Sequence, residues 1–476
     1  MTEASRSQAI PDPPVGVAVI GVGLMGAHHA ENLARHTPGA RLVGLADPQP
    51  GLAERHATRL GCQRWTLDYH HLLADPAVEA VVIATPARFH ADAVVAAAQA
   101  GKAVFCEKPI AHDLADADRA IAATRRARVP FQIGFQRRFD RAFVHARGLV
   151  DSGELGSIQL LRSLTRDPKL DEPERVPPGA IFRETLIHDF DVLRFLAGGA
   201  EPIEVFAMAD ALILPELKAR GLLDSAVVTL RYDSGAMATA DASFQAVYGY
   251  DVRAEVFGSE GMASVGESSP INLVHHNRAG STHPRPHWFV DLFGQAYAAE
   301  LAHFVGRVRG LTPSEAGGPT GSEASSQLRS VGGSQAGAEG AGRTGAVGDS
   351  QAEAEHSAQT GPIGGGQVRP AGGSQARAER GDQGGPAGGS QARAERGDQG
   401  GSAGGSRARA ERGDQTWPVG GGQVGSDLGS QSGLERSGAS GPEATGEDGR
   451  AALIIALAAS RSVETGRPVR ITEIAS

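Results

Sequence analysis

The stretch VAVIGVGLMGAHHAENLAR, residues 17–35, carries the pattern that decides the fold. Its first four residues are apolar and predict a buried strand, and Leu24 to Arg35 have the composition of a helix. The turn between them contains Gly21, which permits a tight turn, and Gly26 in the first turn of the helix allows close packing against the strand. This strand–turn–helix unit predicts the start of a doubly wound α/β fold.

The same turn contains the glycine pattern of a dinucleotide-binding site, in which Gly23 lets the backbone approach a pyrophosphate. Leu24 and Met25 open the helix whose N-terminus would face the phosphates. Asp47 follows at the end of the next strand, where a carboxylate accepts hydrogen bonds from ribose hydroxyls. A 2′-phosphate would meet that carboxylate, and Pro48 offers no cation, so the sequence predicts NAD rather than NADP. A glycine-rich turn without a ligand is the alternative.

Further strands are expected outward from this unit. Short apolar runs separated by helical segments indicate a parallel sheet covered on both faces; they lie at 41–46, 80–84, 103–106 and 131–134. We therefore expect a disordered tail at 1–14 and an NAD-binding Rossmann domain at 15–140.

The pattern changes from about residue 151. Strand-like segments joined by Gly, Ser and Asp turns indicate a mostly antiparallel sheet; they lie at 158–163, 203–208, 225–231, 236–244 and 252–257. Residues 141–315 and 442–476 are thus expected to form a substrate-binding α+β domain with an open sheet.

The segment 316–441 has a different composition. The sequence AGGSQARAERGDQGG begins at Ala371 and Ala387 and returns in shortened form at Ala403, a period of 16 residues without a large apolar side chain. Such a segment cannot bury enough apolar surface to offset its ordering entropy. It is predicted to be a disordered insertion in a surface loop between two helices, and an interaction tail that orders on a partner is the alternative.

Composition excludes several classes of protein. The formal net charge is −9, which argues against a nucleic-acid partner, and the two cysteines, Cys62 and Cys106, are too few for a disulfide framework. The N-terminus lacks an apolar signal core, and the apolar runs are too short to cross a bilayer. We expect a cytoplasmic protein without a membrane partner and without a metal centre.

Two motifs follow predicted strands, at the sheet edge where ligands of doubly wound folds bind. The first is TPARFH, which contains Thr85, Pro86 and His90. The second is EKP, Glu107 to Pro109, in which Lys108 would serve as a general acid or stabilise an alkoxide. A helix-capping role for His90 and a solvated surface position for Lys108 are the alternatives.

A third motif, FRETLIHDFD at 182–191, places Glu184 and His188 four residues apart. On a helix they would share a face, so the carboxylate could orient a histidine that accepts a proton. A surface ion pair is the alternative.

Taken in order, these motifs resemble those of the Gfo/Idh/MocA family of nicotinamide oxidoreductases. The EKP triplet followed by carboxylate-x-x-x-His is the specific part, and IGFQRRFD (133–140) and TRDP (165–168) are similar to segments of the family's inositol 2-dehydrogenases. The resemblance implies that Lys108 lies beside the nicotinamide and the reacting hydroxyl, with Glu107 near the cofactor. His188 is implied to be the proton acceptor.

The resemblance also implies a polyol-binding set. Its members would be Lys108, Arg137, Asp167, Glu184, His188 and Tyr250. Glu184 stands where inositol dehydrogenases usually have Asp. The implied reaction is NAD-dependent oxidation of a secondary hydroxyl, foremost that of myo-inositol to 2-keto-myo-inositol. The alternatives are another polyol (scyllo-inositol or an aldose) and a non-catalytic NAD-binding sensor. A homo-oligomer, a tetramer or dimer formed through the open sheet face, is implied as well.

Overall fold

A computed structural model describes residues 13–170, 172–266, 275–278, 280–282, 285–310 and 443–475. The predicted insertion at 316–441 and most of the predicted tail lie outside these residues. Within them, no helix is both long enough and apolar enough to span a bilayer.

The first sheet is parallel and has six strands, as the alternation of strands and helices predicts. The strands are β1 (Val15–Ile20), β2 (Ala40–Ala46), β3 (Arg64–Thr66), β4 (Ala80–Ile83), β5 (Ala103–Glu107) and β6 (Phe131–Gly134). Their order across the sheet is β3-β2-β1-β4-β5-β6. Successive strands are therefore added outward on one side of β1 up to β3 and on its other side from β4 onward. Every residue of β1, β4 and β5 is buried, because helices cover both faces.

Five helices connect these strands. They are α1 (Leu24–Arg35), α2 (Leu52–Leu60), α3 (His70–Leu73), α4 (His90–Gln99) and α5 (Leu114–Ala127). The Asp113 carboxylate accepts a hydrogen bond from the Asp116 N–H and so caps α5. The carboxyl ends of β1, β4 and β5 therefore lie side by side and carry the glycine turn, the TPARFH motif and the EKP motif.

The second sheet has seven strands. They are β7 (Ile158–Arg166), β8 (Pro202–Asp210), β9 (Ser225–Tyr232), β10 (Met237–Ser243), β11 (Asp251–Gly258), β12 (Met262–Val265) and β15 (Val469–Arg470). All neighbouring pairs are antiparallel except β7 with β10. Buried and exposed residues alternate along β9, so one face is covered and the other is open, with Val227 and Met237 exposed. The predicted α+β architecture is confirmed.

Further helices, a π-helical turn and a two-stranded hairpin lie outside these two sheets. They are α6 (Arg141–Asp151), a π-helical turn (Ile181–Thr185), α7 (Ile187–Leu196), the β13 (His275–Asn277) and β14 (Gly280–Thr282) hairpin, α8 (Phe289–Val308), α9 (Gly446–Thr465) and α10 (Thr472–Ala475). Helix α8 begins at Phe289, because the Trp288 N–H donates to the Asp291 carboxylate and caps its first turn. The division at residue 140 stays a prediction.

Helix α9 returns the chain to both sheets. Ala444 accepts a hydrogen bond from the Ile133 N–H of β6 at 2.9 Å, while Leu453 packs into a core of the first sheet and Ile455 into the core of the second. The Arg307 guanidinium of α8 pairs with the Glu443 carboxylate. The chain therefore leaves and re-enters the fold at adjacent points, as an insertion in a loop requires.

Candidate active site

The glycine turn after β1 has the shape that a dinucleotide needs. Gly21 has φ +86°, in the left-handed region. A Cβ on Gly26 would lie 1.8 Å from the Gly21 carbonyl oxygen, whereas a Cβ on Gly23 would meet no atom within 4 Å. Gly26 thus holds helix and turn together, and the Gly23 backbone faces open space where a pyrophosphate fits. Leu24 and Met25 follow it and line the adjacent pocket.

Asp47 is fixed at the end of β2. Its Oδ2 accepts a hydrogen bond from the Val22 N–H at 2.8 Å, and its Oδ1 accepts one from the Gln49 N–H at 2.9 Å. The carboxylate is therefore tied to the glycine turn and can still accept ribose hydroxyls, since each oxygen has more than one lone-pair direction.

His90 lies beneath this edge rather than in the open pocket. It is 1% exposed, and its Nδ1 and Nε2 atoms lie 2.7 Å from the carbonyl oxygens of Pro109 and Thr85. The side chain thereby ties the EKP loop, which contains a cis Lys108–Pro109 peptide, to the loop around Pro86. In the structure it holds cofactor-side loops in place instead of capping a helix.

A pocket of about 270 Å³ lies between this edge and the second domain. It brings together six residues that the sequence singled out: Glu107, Lys108, Asp167, Glu184, His188 and Tyr250. Glu107 ends β5 and Lys108 follows it, whereas Asp167 follows β7 and Glu184 lies in a π-helical turn. His188 lies in α7, and Tyr250 comes directly before β11. Residues distant in sequence thus converge at the carboxyl edge of the first sheet.

Lys108 reaches across the pocket to the π-helical turn. Its Nζ donates a hydrogen bond to the Glu184 carbonyl oxygen at 2.9 Å. Single π-helical turns often mark functional sites, because they alter the pattern of backbone hydrogen bonds. Here the turn fixes the ammonium group in the pocket.

The Glu184 carboxylate does not orient His188 as the helical spacing suggests. Its two oxygens lie 3.9 Å from Lys108 Nζ and 3.9 Å from His112 Nε2, and His188 Nδ1 has no hydrogen-bond partner among the described residues. The π-helical turn breaks the α-helical register that the prediction assumed, and two cationic or donor groups attract the carboxylate. Burial acts to raise the pKa of Glu184, but His112 and Lys108 outweigh it and lower this pKa.

His188 has the electrostatics of a base. Burial first, and then the charges of Lys108 and Arg137, lower the pKa of His188 well below its usual value. Its ring packs edge-on against Phe135 at 6.1 Å. The imidazole is consequently neutral at neutral pH and able to accept a proton.

Asp167 and Tyr250 form another part of the pocket wall. Burial, only partly offset by Lys108 and Arg137, raises the pKa of Asp167 to about 6. Burial raises the pKa of Tyr250 above the usual range, and the positive charge of Arg137 offsets this only in part.

Arg137 lies behind this wall, not in the pocket. It is 1% exposed, donates to Asp189 Oδ1 at 3.0 Å and donates to Thr165 Oγ1 at 2.7 Å. Three residues of this region were not predicted as site residues from the sequence: Asp189, Thr165 and His112. The first two lie within the motifs FRETLIHDFD and TRDP. No local signal distinguishes His112.

The comparisons with known proteins agree with this geometry. A family model described as an oxidoreductase family with an NAD-binding Rossmann fold matches residues 15–135, and the Gfo/Idh/MocA C-terminal domain matches residues 143–264. The chain belongs to the Gfo/Idh/MocA family. It is therefore an NAD-dependent oxidoreductase, and its resemblance to the family is confirmed.

Several members of the family with assigned activities are similar over most of their length. The chain is 38% identical over 301 residues to scyllo-inositol 2-dehydrogenase (NAD⁺) of Bacillus subtilis, covering 63% of this chain and 88% of that protein. It is 37% identical over 310 residues to myo-inositol 2-dehydrogenase of Thermotoga maritima, covering 65% and 92%. A crystal structure of scyllo-inositol dehydrogenase from Lactobacillus casei with NAD(H) and scyllo-inositol matches with a TM-score of 0.60 at 28% identity, covering 64% and 93%.

Proposed function

We propose that this protein is an inositol 2-dehydrogenase that oxidises one secondary hydroxyl of a cyclitol, foremost myo-inositol to 2-keto-myo-inositol. One observation carries the proposal: the Lys108 ammonium and the neutral imidazole of His188 line one pocket beside the glycine turn. A base and a cation at the carbon that loses hydride are what alcohol oxidation requires.

Each pocket residue has a proposed task. His188 accepts the proton of the reacting hydroxyl, and Lys108 stabilises the negative charge that develops on its oxygen. The remaining hydroxyls of the polyol exchange hydrogen bonds with Asp167, Glu184 and Tyr250. Arg137 does not touch the polyol and instead holds the pocket residue Thr165 in place. NAD, held by the glycine turn, Asp47 and the loops around Thr85 and Glu107, would take up the hydride at the nicotinamide ring.

The first test of this function is a spectroscopic assay. NAD reduction by the purified protein is followed with myo-inositol, scyllo-inositol, D-chiro-inositol, glucose and galactose, with NADP in parallel. Turnover of myo-inositol with NAD is expected. Measurable NAD binding without turnover of any member would contradict the proposal and favour the non-catalytic sensor.

The role of Lys108 is tested by Lys108→Ala. We expect turnover to fall at least roughly a hundredfold, the scale of one acid–base or electrostatic group, while NAD still binds. Lys218→Ala is the matched control, because Lys218 is exposed and, among the described residues, pairs with surface Asp210 alone. Unchanged turnover in Lys108→Ala would sink the assignment.

Scyllo-inositol is the second candidate substrate. It is favoured by Glu184, which stands where inositol dehydrogenases usually have Asp and which faces His112 instead of His188. We expect Glu184→Asp to raise the ratio of myo-inositol to scyllo-inositol turnover, since the shorter side chain releases His112. An unaltered ratio would show that this position does not select the isomer.

Two wider expectations stay predictions. The open face of the second sheet exposes Leu160, Val227 and Met237, which suits the homo-oligomer that the family resemblance implies. Light scattering of the purified protein tests for a tetramer or dimer.

The cytoplasmic location rests on Cys62 and Cys106, which are both free thiols in the structure.

A further inference from the structure

Three buried ionisable side chains lie together next to the pocket, and one of them, Glu107, also lines it. His29 comes from α1, Glu107 from the end of β5 and Glu300 from α8, and one polar atom from each lies within 4.8 Å of the other two. His29 and Glu300 are 0% exposed and Glu107 is 6% exposed. The reaction proposed above gives His29 and Glu300 no task, so their presence needs another explanation.

Glu107 is fully engaged in this cluster. Its Oε1 lies 2.6 Å from His29 Nε2, and because a carboxylate has no hydrogen to give, the imidazole N–H donates. Its Oε2 accepts a hydrogen bond from the Lys108 N–H at 3.2 Å. A Cβ on Gly134 would lie 3.1 Å from the same carboxylate, so a larger residue at this position of β6 would shift the carboxylate by a few tenths of an ångström.

Glu300 has no such compensation. Neither carboxyl oxygen has a hydrogen-bond partner among the described residues. An ionised carboxylate in that position would be desolvated, unpaired and close to the negative charge of Glu107, which is costly on each count. Burial first, and then Glu107, raise the pKa of Glu300 well above its usual value.

We propose that Glu300 is held as a neutral carboxylic acid whose O–H donates a hydrogen bond to the Glu107 carboxylate, so that His29, Glu107 and Glu300 form one hydrogen-bonded unit behind Lys108. A carboxylic acid kept neutral in an apolar site is a known device for hydrogen-bond donation. Its surroundings here include the rings of Phe105 and Tyr297, both of which contact His29.

The unit has a consequence for the pocket. Glu107 fixes the backbone of Lys108 through its Oε2, and a second negative charge on Glu300 would repel the Glu107 carboxylate that makes this contact. A proton on Glu300 removes this repulsion and keeps Glu107, and with it Lys108, in place. Glu300 is therefore a positioning residue that acts through Glu107, and this part of the inference rests on the proposed function.

The protonation is tested by infrared difference spectroscopy of the whole protein, wild type minus Glu300→Gln, at neutral pH. A carboxylic-acid carbonyl band that disappears in Glu300→Gln is expected, since the amide keeps the shape but not the acid. Absence of that band would overturn the proposal. The measurement needs no substrate, so a band in a protein that oxidises no polyol would refute the function and leave the protonation standing.

The positioning role is tested by comparing Glu300→Gln with Glu300→Leu. Glutamine can still donate a hydrogen bond, so kcat is expected to stay within about threefold, whereas leucine is expected to lower kcat roughly tenfold, the scale of one lost hydrogen bond, with the KM for NAD unchanged. Equal losses would indicate an ionised Glu300, and equal retention would indicate no role. Either result contradicts the inference.

A divalent cation is the competing occupant, since two carboxylates and an imidazole can ligate one. Elemental analysis of the purified protein decides this. A metal present in equal amount with the protein and lost in Glu300→Gln would overturn the neutral-acid assignment. If Glu300→Leu does not fold, the infrared band and the metal content decide the inference.

Discussion

Arg137 and Arg138 are neighbours on one turn, both are buried, and each pairs with an aspartate of α7, yet their surroundings differ. Arg138 binds the Asp191 carboxylate through Nε and Nη2 and donates from Nη1 to the Glu443 carbonyl oxygen at 2.6 Å. Arg137 makes a single contact of 3.0 Å with Asp189, and its Nε has no hydrogen-bond partner among the described residues.

The Arg138–Asp191 ion pair stabilises the fold, whereas the Arg137–Asp189 ion pair supports the pocket. Arg138 uses all its nitrogens to tie α7 to the returning chain, where it also lies 3.0 Å from Asp448. Arg137 leaves hydrogen-bonding capacity unused and touches Tyr250 and Thr165 of the pocket wall. Incomplete satisfaction of a buried group is more common where function requires it.

The largest effect is expected from Arg138→Met. Removing the guanidinium leaves Asp191 buried and unpaired, which lowers the free energy of unfolding by about 3–5 kcal/mol. Urea unfolding measures it, and kcat per folded molecule is expected to stay at the wild-type value. Arg59→Met, at an exposed pair with Glu31, is the control and should cost less than about 1 kcal/mol.

Arg137→Met is expected to change the pH profile as well as stability. The charge of Arg137 helps to lower the pKa of His188, so its loss raises that pKa toward the ordinary value. Because the neutral imidazole is the active form, the acid limb of the kcat profile should move to higher pH. If Arg138→Met moves the acid limb of the kcat profile by the same amount, the two arginines do not differ in their effect on His188.

A smaller effect is expected from Asp167→Asn, on the pocket side of the comparison. The pKa of Asp167 is raised to about 6 by burial, so its carboxylate is ionised above that pH and protonated below it. We expect kcat/KM for the polyol to fall roughly tenfold above pH 7, the scale of one hydrogen bond to a charged group. The limb near pH 6 should disappear while the KM for NAD stays constant. A limb that persists in the variant would assign it to another group.

The two arginines also show what the sequence could and could not predict. Local patterns identified the glycine turn, Asp47 and the EKP loop, because a strand followed at once by a short motif fixes the geometry of these residues. Their partners across the pocket were beyond local patterns. The choice of His112 by Glu184, or of Asp189 by Arg137, depends on contacts between distant segments and on a π-helical turn that periodicity does not reveal.

The smallest effect is expected on the structural side, from deleting residues 316–441. The described residues on either side of this segment come together where Arg307 pairs with Glu443, so a shortened connection can join them. Shortening a flexible loop changes its closure free energy by only about 0.6 kcal/mol for each halving of its length. We expect kcat/KM within twofold of wild type and no loss of stability. A larger loss, or a partner captured only by the full chain, would favour the interaction-tail alternative.

The return of the chain through α9 has a consequence for synthesis on the ribosome. Leu453 and Ile455 complete the cores of both sheets, yet 132 residues separate Gly310 from Glu443. At about 5–20 residues per second, translation reaches α9 on the order of ten seconds after α8. During that interval the nascent protein exposes two unfinished cores, so we expect chaperones to engage it there, and longer when the 16-residue repeat gains copies.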